Sequence, residues 1–150
     1  MHEGYRALDD YDYPAAREAF EHAHALAPQA ARPMGALLDL LVYQLGLDGD
    51  ALALAEDRNP HLLALPEVRA PLALAAARTG EHALAVEWVA ELEGERAAEV
   101  HRTLAGAALQ AGDLAGAGLR LQLARQAFAP DPERLALEKR LGEAQALVAR

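Results

Sequence analysis

The chain has 150 residues, 23 acidic and 14 basic, for a formal charge of -9, and its basic residues are dispersed instead of forming a stripe. Nucleic acid and anionic membrane surfaces would meet net repulsion, so neither is an expected partner. Cys and Ser are both absent, which removes disulfides, thiolate metal sites and the two common nucleophiles and leaves Thr79 and Thr103 as the aliphatic alcohols.

Ala and Leu supply 37 and 27 residues, Ile is absent and Val is scarce, so an all-helical chain is the first expectation. The length suits a single domain, 1–150. Taken in order, the apolar periodicity predicts helices over 2–10, 14–27, 30–45, 49–57, 67–79, 82–93, 96–110, 114–128 and 132–149. Asp12, Asp48 and Asp113 stand where they can cap the helices that follow, and Pro14 suits a first helical turn. Pro60, Pro66 and Pro71 crowd the start of the fifth helix, where an interior proline removes a hydrogen bond. No apolar run approaches the roughly 20 residues that span a bilayer, so no membrane insertion is expected. "MHEGYRALDD" lacks the basic start and apolar centre of a secretory signal, and the chain reads as cytoplasmic. The repeat described next begins almost at residue 1, as it also would in a chain that had lost a leader or belonged to a longer parent.

Four segments align without gaps: "YDYPAAREAF" from Tyr11, "GLDGDALALA" from Gly46, "GEHALAVEWV" from Gly80 and "GDLAGAGLRL" from Gly112. Their starts are 35, 34 and 32 residues apart. Five positions after each turn residue stands Ala16, Ala51, Ala85 or Ala117, and four beyond that Phe20, Ala55, Val89 or Leu121. On a helix, residues four apart share a face, which Ala23 and Ala124 extend by another turn. Seven residues before each turn come Gly4, Asp39, Ala73 and Ala105, three of them small. Each unit is thus a helix, a short turn and a second helix, with small residues at the crossing. The units run over about 1–28, 29–63, 64–94 and 95–130. The segment 131–149 lies outside the period, and it sets Leu137, Leu141, Ala144 and Val148 on one face, as a helix covering the end of a stack would.

This pattern resembles the tetratricopeptide repeat, a helix-turn-helix unit of 34 residues with Gly in its first helix, then Ala-x3-Phe and a closing Pro. Gly4, Ala16, Phe20, Ala23 and Pro28 carry the signature in the first unit. The later units depart from it: Asp39 replaces the small residue, Arg58 and Leu92 replace the third small residue, and the Trp and Tyr that usually accompany the first helix are missing. The resemblance covers about residues 1–130 and implies a right-handed superhelical solenoid of about four units with a C-terminal capping helix. It further implies a non-enzymatic module that binds a peptide or partner protein in a concave groove lined by the first helices. Carried over by position, the groove set is Tyr5, Asp9, Leu40, Tyr43, Gln44, Leu74, Arg78, Arg102, Leu109 and Gln110. Its Tyr, Arg and Leu suit a protein interface. The subgroup that clamps chaperone tails uses Lys and Asn there, and the sole Lys139 and Asn59 lie off that face.

Other constellations favour structure over chemistry. His22 and His24 diverge by about 200° on a helix, which suits solvated positions better than a metal pair. "LDDYD" and "AELEGERAAE" lack the alternating ligands of a calcium loop, and "GDLAGAG" lacks the Lys-Ser/Thr of a phosphate loop, so Gly116 and Gly118 fall inside a helix. His82 or His101 with a carboxylate is the nearest approach to an acid-base pair, and no motif supports it; no catalytic residue, metal or cofactor is expected. Arg78 and Arg102 occupy equivalent inner positions, open to a partner's carboxylates or to internal pairing with Glu67 and Glu99. Two further roles stay open at this point: self-assembly through the N-terminal end of the stack, giving a homo-oligomer, and a sensor role within a larger signalling or transcription system.

Overall fold

The structure, a computed structural model, describes residues 1–56 and 58–150. Among the described residues it contains ten α-helices, one π-helical segment and no strand. The order is α1 (His2–Asp9), α2 (Tyr13–Leu26), α3 (Ala31–Asp39) running on into the π segment (Leu40–Gln44), α4 (Asp48–Ala55), α5 (Pro60–Leu63), α6 (Pro66–Arg78), α7 (His82–Val89), α8 (Gly94–Gln110), α9 (Leu114–Ala127) and α10 (Pro132–Val148). The expected end of the fourth helix at residue 57 lies outside the described residues.

Four helices, α2, α5, α9 and α10, begin at a side-chain cap. The Asp12 carboxylate accepts from the Ala15 amide at 3.2 Å, Asp113 from Gly116 at 2.9 Å, and Asp131 from Arg134 at 3.2 Å, each supplying a partner to an otherwise orphaned first-turn donor. Asp48 departs from expectation: it is the first residue of α4, makes no cap, and pairs with Arg78 instead. Asn59 caps the one-turn α5, whose four residues are too few to show an apolar period.

The four aligned turn residues all adopt left-handed backbone, Tyr11 at φ 57°, Gly46 at 65°, Gly80 at 86° and Gly112 at 77°. In units one, three and four, the next amide closes onto a carbonyl five residues back: Asp12 to Ala7, Glu81 to Ala76 and Asp113 to Ala108, at 2.7–2.9 Å. This is the left-handed closure of a helix end. In unit two the bond spans six residues, Leu47 to Leu41, because the π segment has taken in one extra residue. That residue rotates the register, so the buried residue before this turn is Leu38, eight back, while Asp39 faces outward and half-exposed.

The packing seam lies where the repeat places it. Ala16, Phe20, Ala51, Ala55, Ala85, Val89, Ala117, Leu121 and Ala124 are all buried. Ala23 is only half-buried and His24 takes the interior position beside it, so the expectation of two solvated histidines fails at His24. One core cluster runs from α2 through α8; a second, of Ala105, Ala117, Leu121 and Leu141, joins α8, α9 and α10. Leu137 packs against that cluster, but Val148 is 77% exposed, so the last turn of α10 leaves the core uncovered.

Helices pack as neighbours in sequence, α1 on α2, α2 on α3, α6 on α7 and α8 on α9, while α3, α6, α8 and α10 also pack successively on one another. The centre of that row is α6, with every residue from Ala70 to Ala77 buried. Pro71 has no N–H for the Glu67 carbonyl four residues back, and α3 closes on that carbonyl at Gly35, where an added Cβ would stand 3.2 Å from the oxygen.

Candidate binding groove

Helices α1, α3, α6 and α8 line a cavity of about 420 Å3, within the size range of ligand sites. One face of α3 and its π extension supplies most of the wall through Arg32, Gly35, Ala36, Asp39, Leu40, Tyr43 and Gln44, which recur at steps of three and four residues. Tyr5 and Leu8 close one side from α1, and Glu67 and Arg96 close the other from α6 and α8.

Across this cavity Arg96 and Asp39 form a two-armed pair, both hydrogen bonds 3.1 Å long. The Arg96 guanidinium also lies 4.9 Å from the centre of the Tyr43 ring, an arrangement that fixes its plane. Desolvation outweighs the guanidinium's attraction and holds the Asp39 carboxyl above its ordinary value. The Tyr43 hydroxyl is buried without a hydrogen-bond partner, and burial pushes its pKa up to about 12 against the opposing charge of Arg96. On the other wall the Tyr5 ring meets Phe20 edge to face at 5.3 Å, and the Tyr13 hydroxyl donates to Gln44 Oε1 at 3.2 Å. Arg32 is exposed and makes no ion pair among the described residues.

Tyr5, Leu40, Tyr43 and Gln44, of the ten residues expected in the groove, are brought together here. Leu74 is fully buried, because α6 is covered on both sides and has no groove face at that point. Arg78 is an internal clasp: its guanidinium donates to the Val42 carbonyl at 3.1 Å and to Asp48 at 3.3 Å and lies 3.8 Å from Glu99, tying the π segment to α4 and α8. Arg102 is likewise committed, to Asp131 and to Glu133 at 3.2 Å, with Asp131 only 4% exposed. Burial opposes ionisation of Asp131, but the Arg102 guanidinium and the Arg134 amide prevail and hold its carboxyl below the usual range. Of the internal partners considered for these arginines, Glu99 meets Arg78, whereas Glu67 lines the cavity. Leu109 packs on the second core cluster; Asp9 and Gln110 are exposed outside the cavity. Arg32, Asp39, Glu67 and Arg96 were missed, although the spacing Arg32, Gly35, Asp39, Tyr43 already marks one helix face.

Among the described residues no group of three or more His, Cys, Asp or Glu is placed to hold a metal ion, and no helix is long and apolar enough to cross a membrane. His24 has neither ring nitrogen hydrogen-bonded, and burial, then the Arg58 charge, lowers its pKa; His22 is exposed. His101 is buried with Nδ1 unpartnered. Comparisons with protein-family models, curated proteins and solved structures return no match.

Proposed function

We propose that the chain is a tetratricopeptide-like solenoid whose first helices form a groove for a peptide or an extended segment of a partner protein, without catalytic activity. The observation that carries this reading is the cavity lined by α1, α3, α6 and α8, whose wall holds two tyrosines and the paired Arg96 and Asp39, and leaves Arg32 and Glu67 without an ion-pair partner among the described residues. Tyr and Arg are the side chains that anchor protein interfaces most often. Successive packing of α3, α6, α8 and α10 supports the solenoid arrangement, and the common left-handed turns support a common repeat. The charge of -9 favours a protein partner over nucleic acid.

Arg32→Glu with Gln44→Ala tests the groove without disturbing the core, since both side chains are exposed. A peptide ligand selected on the wild-type chain should lose about tenfold or more in affinity, in line with removal of one charge-assisted contact and one neutral hydrogen bond. Unchanged affinity would refute the groove. A second reading is favoured by one observation, the cavity between α1 and α2 in which Met1, Ala15, Ala19, Ala23 and Leu26 are edged by Glu3, Glu18 and His22, and where Leu26 is 74% exposed. Self-association through that end would appear as a dimer in light scattering that Leu26→Glu abolishes.

A further inference from the structure

The groove continues into a second cleft whose chemistry differs from its own. Glu67 and Arg96 line both, so the two adjoin where α6 meets α8. The second cleft, about 490 Å3, has an apolar floor of Pro66, Ala70 and Leu92 and carboxylate walls of Glu67, Glu91, Glu93 and Glu95. The cation in its lining, Arg96, is already engaged with Asp39 and the Tyr43 ring, and Glu91 is held from outside the cleft by Arg69 at 3.7 Å. Glu67 and Glu95 stand in the first turns of α6 and α8, where the helix ends offset part of their charge. Glu93 precedes α8, is exposed, and pairs with no cation among the described residues.

An apolar floor under an anionic rim complements one kind of side chain, a long aliphatic stem ending in a cation. We infer that this cleft receives an arginine or lysine of the partner segment bound in the groove, with the stem on Pro66, Ala70 and Leu92 and the charged head among Glu67, Glu93 and Glu95. The inference rests on the peptide-binding reading and adds to it the charge of the partner: a segment with a basic residue beside the part held at Tyr5, Tyr43 and Arg32. Charge complementarity across an interface selects partners and register, and a chain of net charge -9 draws in basic segments at long range.

The test uses two end-capped tripeptides, Leu-Arg-Leu and Leu-Gln-Leu, titrated into the isotope-labelled chain at low salt with backbone amide shifts as readout. The arginine peptide should give saturable shifts at Ala70, Leu92, Glu93 and Glu95 and bind about tenfold more tightly than the glutamine peptide, as expected for two or three partly exposed ion contacts. In the Glu93→Gln, Glu95→Gln double variant that preference should fall below about threefold, while the unfolding midpoint drops by no more than a few degrees, the loss expected from two exposed carboxylates at the start of α8. Equal affinity for the two peptides, absence of saturable shifts in the cleft, or a preference that survives in the double variant would overturn the inference. Shifts at Arg32, Tyr43 and Gln44 report the main groove separately, so either the groove or the cleft can fail while the other stands.

Discussion

Gly4 is the residue on which the pairing of α1 with α2 turns. It is buried, and a Cβ built there would lie 2.4, 2.6 and 2.9 Å from Cε1, Cδ1 and Cζ of Phe20, a ring with no exposed surface and with Tyr5 against its edge. Taken alone, Gly4→Ala should favour the helix by up to about 1 kcal/mol. Overpacking against a ring that cannot retreat costs about 1–3 kcal/mol, so the net expectation is a loss of about 1–2 kcal/mol. For a chain of this size that lowers the thermal midpoint by roughly 2–8 °C. On a Phe20→Leu background the clash is gone, and the same Gly4→Ala change should become neutral or stabilising. The two variants and their combination, followed by urea unfolding, therefore give a coupling energy of about 1–3 kcal/mol. Stabilisation by Gly4→Ala in the parent, or strict additivity, would refute the register. Phe20→Ala should cost about 3–5 kcal/mol for the same reason, and a loss below about 1 would contradict its burial.

Other outcomes follow from particular residues. Tyr11 holds the left-handed turn that glycine holds in the other three units, at 79% exposure, so Tyr11→Gly should stabilise by about 1 kcal/mol in thermal unfolding. Burial, then the Arg120 charge, keeps the His101 pKa at about 4, whereas the unfolded chain protonates near about 6.5. The unfolded state thus binds more protons in that window, and stability should be full above pH of about 6.5 and fall by up to about 3 kcal/mol towards pH 4, a slope that His101→Leu reduces. Arg102→Ala leaves Asp131 buried and unpaired at the start of α10 and should cost about 3 kcal/mol, with the earliest loss of amide-exchange protection in α10.

The seam was legible because its residues carry their own geometry: an Ala and an apolar residue four apart, set at a fixed distance from a turn residue, can bury only one face. The register of α3 was not. A π turn leaves no sign in composition, so Asp39 read as a poor small-residue substitute when the extra residue had turned it outward to Arg96. Carrying positions over from one unit to the next therefore placed Leu74 in the groove, although α6 is covered on both sides. Arg78 and Arg102 failed for a different reason. A lone arginine reads the same whether its carboxylate sits on a partner or 30 residues away in the chain, and here Asp48 and Asp131 supply the partners. His24 was misplaced because the interior face of α2 drifts past Ala23 in its last turn, where the sequence offers a histidine to the core.

Hydrogen exchange with a peptide selected from a random library tests most directly whether α1, α3, α6 and α8 form a peptide-binding surface. Binding should slow exchange over residues 32–44 and around Glu67 and Arg96, and Arg32→Glu with Gln44→Ala should remove that protection. Protection confined to α2, α4, α7 and α9, with the double variant binding as tightly as the parent, would contradict it.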